Sequence, residues 1–321
     1  MLDRVKTALL AASSPAALVL AVGMAGPAKA DQIIYWTAFG GQELMEADVT
    51  TGTNTVLEHT PGTAGYPDSL IFDSHGNILY SEYGVYTGTA GEVRSFNPTT
   101  LADSLVVGGL STQAVDLALD PSGASVLVAD RGNSNLDRVT LPSGPATVLN
   151  GTFTGDGLNG IAYDSAGHLF AVNEANHTLN QIDPVTGAIL HTFSVGGSGY
   201  LDGMGFDTVT GNLFIANGGC LEEMTTTGTD LGCKGSFSSI DGVESTDNGD
   251  ILVADVGGGD IGDYNLTTGV SKSLISTPGL DDIAPVAGLG APPPTAPEPA
   301  SLTLLGSALI GLGFFRRRKR A

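Results

Sequence analysis

Ile161-Ala162-Tyr163-Asp164-Ser165-Ala166-Gly167-His168-Leu169-Phe170-Ala171-Val172 reads as an apolar strand, a tight turn and a second apolar strand. Asp accepts hydrogen bonds from the backbone amides of such a turn, and Gly takes the positive φ that closes it. The unit recurs from Leu70 to Tyr80 around Asp73 and Gly76, and from Leu117 to Val128 around Asp120 and Gly123. It returns from Met204 to Ile215 around Asp207 and Gly211, with a degenerate copy from Val243 to Val253 around Thr246 and Gly249. The five anchor residues stand 39 to 47 positions apart. A second turn follows each copy about twenty residues later, as in Asn97–Thr100, Leu141–Gly144, Asp183–Gly187, Thr225–Gly228 and Asn265–Gly269. Four strands and two hairpin turns in each ~40–45 residues make one blade of a propeller.

The chain ends set the number of blades. A sixth second turn, Asp48–Gly52, is preceded only by Ile33-Ile34-Tyr35-Trp36, a second strand without its first. Gly279-Leu280-Asp281-Asp282-Ile283-Ala284-Pro285-Val286 can supply the missing strand from the other terminus. Residues 280–288 are expected beside 32–38, which closes the ring and hides both edges. The predicted fold is all-β: a six-bladed β-propeller over 31–290, then a stiff Pro-rich linker at 291–296.

Composition narrows the function. Between residues 31 and 296 the cations are Arg94, Arg131, Arg138, Lys234 and Lys272, against 32 acids, a formal charge of −27. That excludes a nucleic-acid binder, which needs a cationic footprint. It suits an exported protein that repels its neighbours, attracts cations, or both. Cys220 and Cys233, with twelve residues between them, pair as a disulfide across a hairpin or stay as buried thiols; export favours the disulfide.

Both termini carry export signals. Arg4 and Lys6 precede an apolar stretch, and Ala28-Lys29-Ala30 forms a small-residue cleavage site, so 1–30 reads as a signal peptide. At the other end Pro297-Glu298-Pro299 leads into the apolar run Ala300–Phe315 and then Arg316-Arg317-Arg318-Lys319-Arg320. Sixteen helical residues rise about 24 Å, a short membrane helix whose cations hold its end in the cytoplasm. This tripartite segment, 297–321, resembles the PEP-CTERM sorting signal. The resemblance implies recognition by an exosortase-type protease, cleavage near Pro-Glu-Pro, and delivery to the cell surface or matrix, where extracellular polysaccharide or surface components are candidate partners. An ordinary C-terminal anchor is the alternative.

Within the repeats, Val128-Ala129-Asp130-Arg131-Gly132-Asn133, Val172-Asn173-Glu174 and Val253-Ala254-Asp255 are similar to NHL propeller blades. That similarity gives Glu82, Asp130, Glu174, Asn217 and Asp255 a structural role after the second strand. Asp202-Gly203-Met204-Gly205-Phe206-Asp207 and Asn159-Gly160-Ile161 look like the gluconolactonase/senescence-marker-protein family of six-bladed propellers. The resemblance implies a channel-bound Ca²⁺ or other divalent ion held by Asn159 and Asp202, with Asp202 as general base. The family's opening Glu-x-Pro-x-Trp motif is missing. Asp116, Asp241, Asp68 and the pair Asp281/Asp282 are taken as the geometric equivalents of Asp202, and Asp116 and Asp241 as further metal ligands. Two functions follow: a surface-delivered binding or structural propeller, which is preferred, and a divalent-metal lactonase or esterase acting in the central channel. Only the second needs a metal with an open coordination position.

Overall fold

The computed structural model describes residues 33–285, apart from 60–64, 154, 156, 247 and 248. The signal peptide, the linker and the sorting segment, with Pro297, Glu298, Pro299 and the terminal cations, lie outside the described residues.

Twenty-four described strands, β1 to β24 in chain order, form six four-stranded sheets. Blade 1 runs from its inner strand β24 (Leu280–Pro285) through β1 (Ile33–Ala38) and β2 (Glu43–Asp48) to β3 (Thr53–His59). The other blades run inner to outer in chain order. Blade 2 holds β4 (Pro67–Phe72), β5 (Ile78–Glu82), β6 (Gly91–Asn97) and β7 (Ala102–Leu110). Blade 3 holds β8 (Ala114–Leu119), β9 (Ser125–Asp130), β10 (Asn135–Thr140) and β11 (Ala146–Asn150). Blade 4 holds β12 (Leu158–Tyr163), β13 (Leu169–Asn173), β14 (Thr178–Ile182) and β15 (Ile189–Ser194). Blade 5 holds β16 (Leu201–Asp207), β17 (Asn212–Asn217), β18 (Cys220–Thr225) and β19 (Asp230–Lys234). Blade 6 holds β20 (Ile240–Ser245), β21 (Asp250–Asp255), β22 (Asp260–Asn265) and β23 (Val270–Ser276).

The hairpin turns work as their residues dictate. Asp164 Oδ1 accepts the amides of Ala166 and His168 at 2.9 and 2.8 Å, and Gly167 sits at φ +83°. Asp73 repeats this with His75 and Asn77, both at 2.8 Å. In the degenerate copy, the Thr246 hydroxyl oxygen takes the amide of Asp250 at 3.1 Å. These bonds are local, so the turns form wherever the motif occurs.

Second strands are buried on both faces, as in β9 and β13, and their apolar residues fill six clusters, each shared by two adjacent blades. Trp36, 2 % exposed, lies between blades 6 and 1 with Ile261, Leu280 and Ile283. Each large side chain buried this way contributes roughly 1.5–3 kcal/mol.

The ring closes where the two ends meet. Antiparallel pairing of β1 with β24 runs from Ile34↔Pro285 to Ala38↔Leu280. One expected equivalence is corrected. The residues ending the second strands of blades 2 to 6 are Glu82, Asp130, Asn173, Asn217 and Asp255, so Asn173 rather than Glu174 occupies that place in blade 4. Asp130 accepts the amide of Ser111 at 3.1 Å, and Asp255 accepts those of Ser238 and Ser239, tying each blade to the segment that enters it.

A chain ending at Gly279 would leave β1 as a bare edge and expose Trp36. We expect it to aggregate or lose its cooperative thermal transition, compared with a chain ending at 290. Equal melting temperatures in differential scanning calorimetry would show that closure does not stabilise the ring.

Candidate functional site

Each inner strand carries the same β-bulge. Two of its residues face one residue of the second strand: Asp68 and Ser69, Val115 and Asp116, Asn159 and Gly160, Asp202 and Gly203, Asp241 and Gly242, Asp281 and Asp282. A bulge redirects the side chains it displaces. Repeated six times, it lines the central channel with two adjacent levels of residues.

The first level reads Asp68, Val115, Asn159, Asp202, Asp241 and Asp281 around the ring. The second reads Ser69, Asp116, Gly160, Gly203, Gly242 and Asp282. Asp116 is therefore not the equivalent of Asp202 and Asp241; that place in blade 3 belongs to Val115.

The second level explains the Asn-Gly and Asp-Gly pairs. A Cβ on Gly160 would lie 2.4 Å from the Asp202 carbonyl oxygen, and one on Gly203 would lie 2.6 Å from that of Asp241. Where this level has a side chain, it bonds the next blade instead. Asp116 Oδ2 accepts the Ile161 amide at 2.6 Å, Asp282 Oδ2 the Leu70 amide at 3.3 Å, and Ser69 donates to Asp116 Oδ1 at 2.8 Å. Thr37 and Ser81, each opposite a bulge, donate to the carbonyls of Asp68 and Val115 at 2.6 and 2.7 Å.

Crowding sets the electrostatics. Burial first, then Asp241 and Asp68, hold the Asp202 carboxyl well above the ordinary range, and Asp202 is hydrogen-bonded to Asp241. Asp281 is raised well above that range by burial and then Asp241, and it too is hydrogen-bonded to Asp241. Asp68 is raised well above it by burial, then by Asp241, Asp282 and Asp116. Burial pushes Asp116 up to about 6 although three donors oppose the shift. The opposing cation is Arg131, which pairs with Glu174 at 2.7 Å. Asn159 is 1 % exposed and donates to the Leu201 carbonyl at 2.8 Å and Glu174 at 3.2 Å, while its Oδ1 has no partner.

Two features were not anticipated. Phe39, Tyr66, Tyr83 and Tyr86 pack together with ring centroids 5.1–6.1 Å apart, and Tyr86 is 67 % exposed. Tyr66 stands two residues before Asp68, and Phe39 and Tyr83 directly follow second strands, so the rings lie at the end where inner strands begin. Tyr83 accepts a hydrogen bond from Gln113 at 3.0 Å and feels the charges of Asp68 and Arg131. Further along the channel is a cavity of about 250 Å³ lined by Ile71, Ala118, Ala162, Gly205 and Glu244. Glu244 is raised well above the carboxylate range by burial and then by Asp282 and Asp116. Aligning the repeats exposes it as the one acid in a column of small or apolar residues.

The structure thus brings Asn159, Asp202 and Asp241 to one level and Asp116 beside them. Among the described residues no three His, Cys, Asp or Glu side chains are grouped to hold a metal ion. The unpartnered Asn159 Oδ1, on the inner strand neighbouring that of Asp202, is the feature that suits one. Cys220 and Cys233 form a disulfide between β18 and β19.

Residues 295–319 match the PEP-CTERM protein-sorting motif. The motif implies export, processing by exosortase-type machinery and anchoring in the envelope through the tail. No curated protein matches the chain. Among solved structures, the propeller is similar to a chain in a nidogen/laminin complex, with TM-score 0.66 and 13 % identity over 79 % of this chain and 98 % of that one. It is also similar to a streptogramin B lyase, with TM-score 0.62 and 14 % identity over 79 % and 83 %. A virginiamycin B lyase from Staphylococcus aureus gives TM-score 0.52 and 13 % identity over 66 % and 70 %. Identities this low show the shared fold alone.

The raised carboxyls have a pH signature. Each has a higher pKa folded than unfolded, so its stabilising effect is complete below the unfolded value near 4 and is lost as pH rises through the folded value. In the presence of chelator, the melting temperature should be higher at pH 5 than at pH 8. Asp241→Asn, which removes the charge between Asp202 and Asp281, should flatten that slope. A melting temperature that rises from pH 5 to pH 8 would show that the channel acids do not repel one another.

Proposed function

We propose that this chain is an envelope-displayed binding propeller whose ligand seats at the mouth of the channel. The observation that carries the reading is the aromatic group of Phe39, Tyr66, Tyr83 and Tyr86 beside the acid ring. Tyr rings offer a flat apolar face and a hydroxyl, the combination that grips the C–H face of a sugar while carboxyls bond its polar groups. The formal charge of −27 on residues 31–296 favours neutral or cationic glycans over acidic ones. Fold alone does not choose between binding and catalysis, since its structural neighbours include lyases as well as a chain from a protein complex.

The full-length protein in detergent should bind chitosan oligosaccharides more tightly than dextran, and alginate least, in titration calorimetry. Tyr86→Ala should weaken the first roughly 3- to 10-fold, matching ~0.5–1.5 kcal/mol for an aromatic contact. Equal affinity for all three glycans, or no effect of Tyr86→Ala, would remove this seat.

A second reading, a divalent-metal lactonase or esterase, draws support from Asn159, whose buried Oδ1 lacks a partner at the same level of the channel as Asp202. Asn159 and Asp202 would hold the ion with help from Asp241, because the oxygens of Asp116 already accept the amides of Leu117 and Ile161. A bound Ca²⁺ would polarise a carbonyl or activate water. Asp202, freed of its shared proton by the ion, would orient that water as base. Hydrolysis of a lactone panel that requires added metal and falls at least 100-fold in Asp202→Asn would support this reading, in line with the 10²–10⁴-fold typical of a general base. No turnover with Ca²⁺, Mn²⁺ or Zn²⁺ present would end it.

A further inference from the structure

Outside the channel, blade 5 carries a second pair of acids in contact. Glu222 of β18 is 3 % exposed, and its carboxyl is hydrogen-bonded to that of Asp230, the exposed first residue of β19. Two carboxylates this close repel unless a proton or a cation lies between them. Lys234, the neighbouring cation, is engaged by Glu223 at 3.2 Å and by the Leu231 carbonyl at 3.0 Å. Gly196, on the segment joining blade 4 to blade 5, lies against the pair. A Cβ there would sit 2.4 Å from Asp230 Oδ2 and 3.6 Å from Glu222 Oε1.

Asn217 supplies an independent observation. It is 4 % exposed, and its amide is turned toward the pair, with Nδ2 donating to the Gly196 carbonyl at 2.8 Å and to Glu222 Oε2 at 3.3 Å. Its Oδ1 is buried without a partner. An orphaned buried acceptor is unfavourable. A half-turn about Cβ–Cγ would point Oδ1 at the Gly196 carbonyl and Glu222. Without a cation that places acceptors against one another; with one, the same turn completes a set of oxygen ligands.

We propose that Glu222, Asp230, the Asn217 side-chain carbonyl and the Gly196 backbone carbonyl form a Ca²⁺ site. All four donors are hard oxygens, two are charged, and a mix of carboxylate, amide and backbone carbonyl suits Ca²⁺ better than Mg²⁺, which keeps most of its water. The neighbouring sulfurs are joined as the Cys220–Cys233 disulfide and offer no thiolate. Asp230 opens the site to solvent, and extracellular modules bind Ca²⁺ at about 10⁻⁴–10⁻³ M. The ion would tie the 195–200 segment to blade 5. His177 already holds that segment from blade 4, with ring nitrogens 3.1 and 2.9 Å from the Val195 and Gly199 carbonyls.

The test is Ca²⁺ titration of the chelator-stripped, full-length protein in detergent, by calorimetry and by the melting temperature. Wild type should bind saturably and melt higher with Ca²⁺, since a ligand of the native state stabilises it by mass action. Asp230→Asn, at an exposed position, and Glu222→Gln should each weaken binding at least tenfold while keeping the Ca²⁺-free melting transition. Asn217→Asp should strengthen it by threefold or more, because the new charge meets the ion. Glu58→Gln, on the outer strand of blade 1, should leave this binding unchanged. No saturable binding, or binding that survives both Glu222→Gln and Asp230→Asn, overturns the site. Binding lost only in Asp202→Asn also overturns it and places the ion in the channel.

Discussion

The rest of the molecule depends on the pairing of β1 with β24, which joins residues some 250 positions apart. Without it blade 1 has no inner strand and the ring has two open edges. The same pairing carries Asp281 and Asp282 into the channel, next to Asp241 and opposite Thr37. Thr37 serves both sides of the seam: it donates to the Asp68 carbonyl of blade 2 and accepts the Asp282 amide of blade 1 at 2.9 Å. Closure and part of the channel's charge are therefore set by one contact.

Six inner strands crowd one axis, and the chain solves the crowding in two ways. In blades 4, 5 and 6 glycine at the second bulge position lets neighbouring backbones touch. In blades 1, 2 and 3 a polar side chain there bonds the backbone or side chain of the next inner strand. The first bulge position is then free to carry acids, and four aspartates with Asn159 occupy five of its six places. Their mutual repulsion is a standing cost that a cation or proton relieves. This follows from like charges crowded around one axis.

Acidity has a different meaning in the hairpin turns. Hairpin aspartates such as Asp73, Asp164 and Asp207 spend their charge on backbone amides. Acids in contact with other acids include the channel ring, Glu222 with Asp230, and Asp137 with Asp130.

What could be read from residues alone was whatever is made by near neighbours. An Asp followed by Gly three or four places on forms its turn from bonds within five residues, so the blade repeat, its count and the need for a strand from the far end were legible. The tail was legible for the same reason, its signal being contiguous from Pro297 to Arg320. The bulge was not, because register is a relation between strands; the place of Asp116 was, since Val115 and Asp202 each stand five residues before their hairpin anchors Asp120 and Asp207, which sets Asp116 against Gly203. Nor did spacing show that Asn173, rather than Glu174, ends its strand, leaving Glu174 to reach Arg131 and Asn159. The aromatic group, Glu244 in the channel and the contact of Glu222 with Asp230 are convergences of side chains from separate turns or strands. Only tertiary structure brings them together, since hydrophobic packing between blades, and not any local motif, sets which loops and strand faces meet.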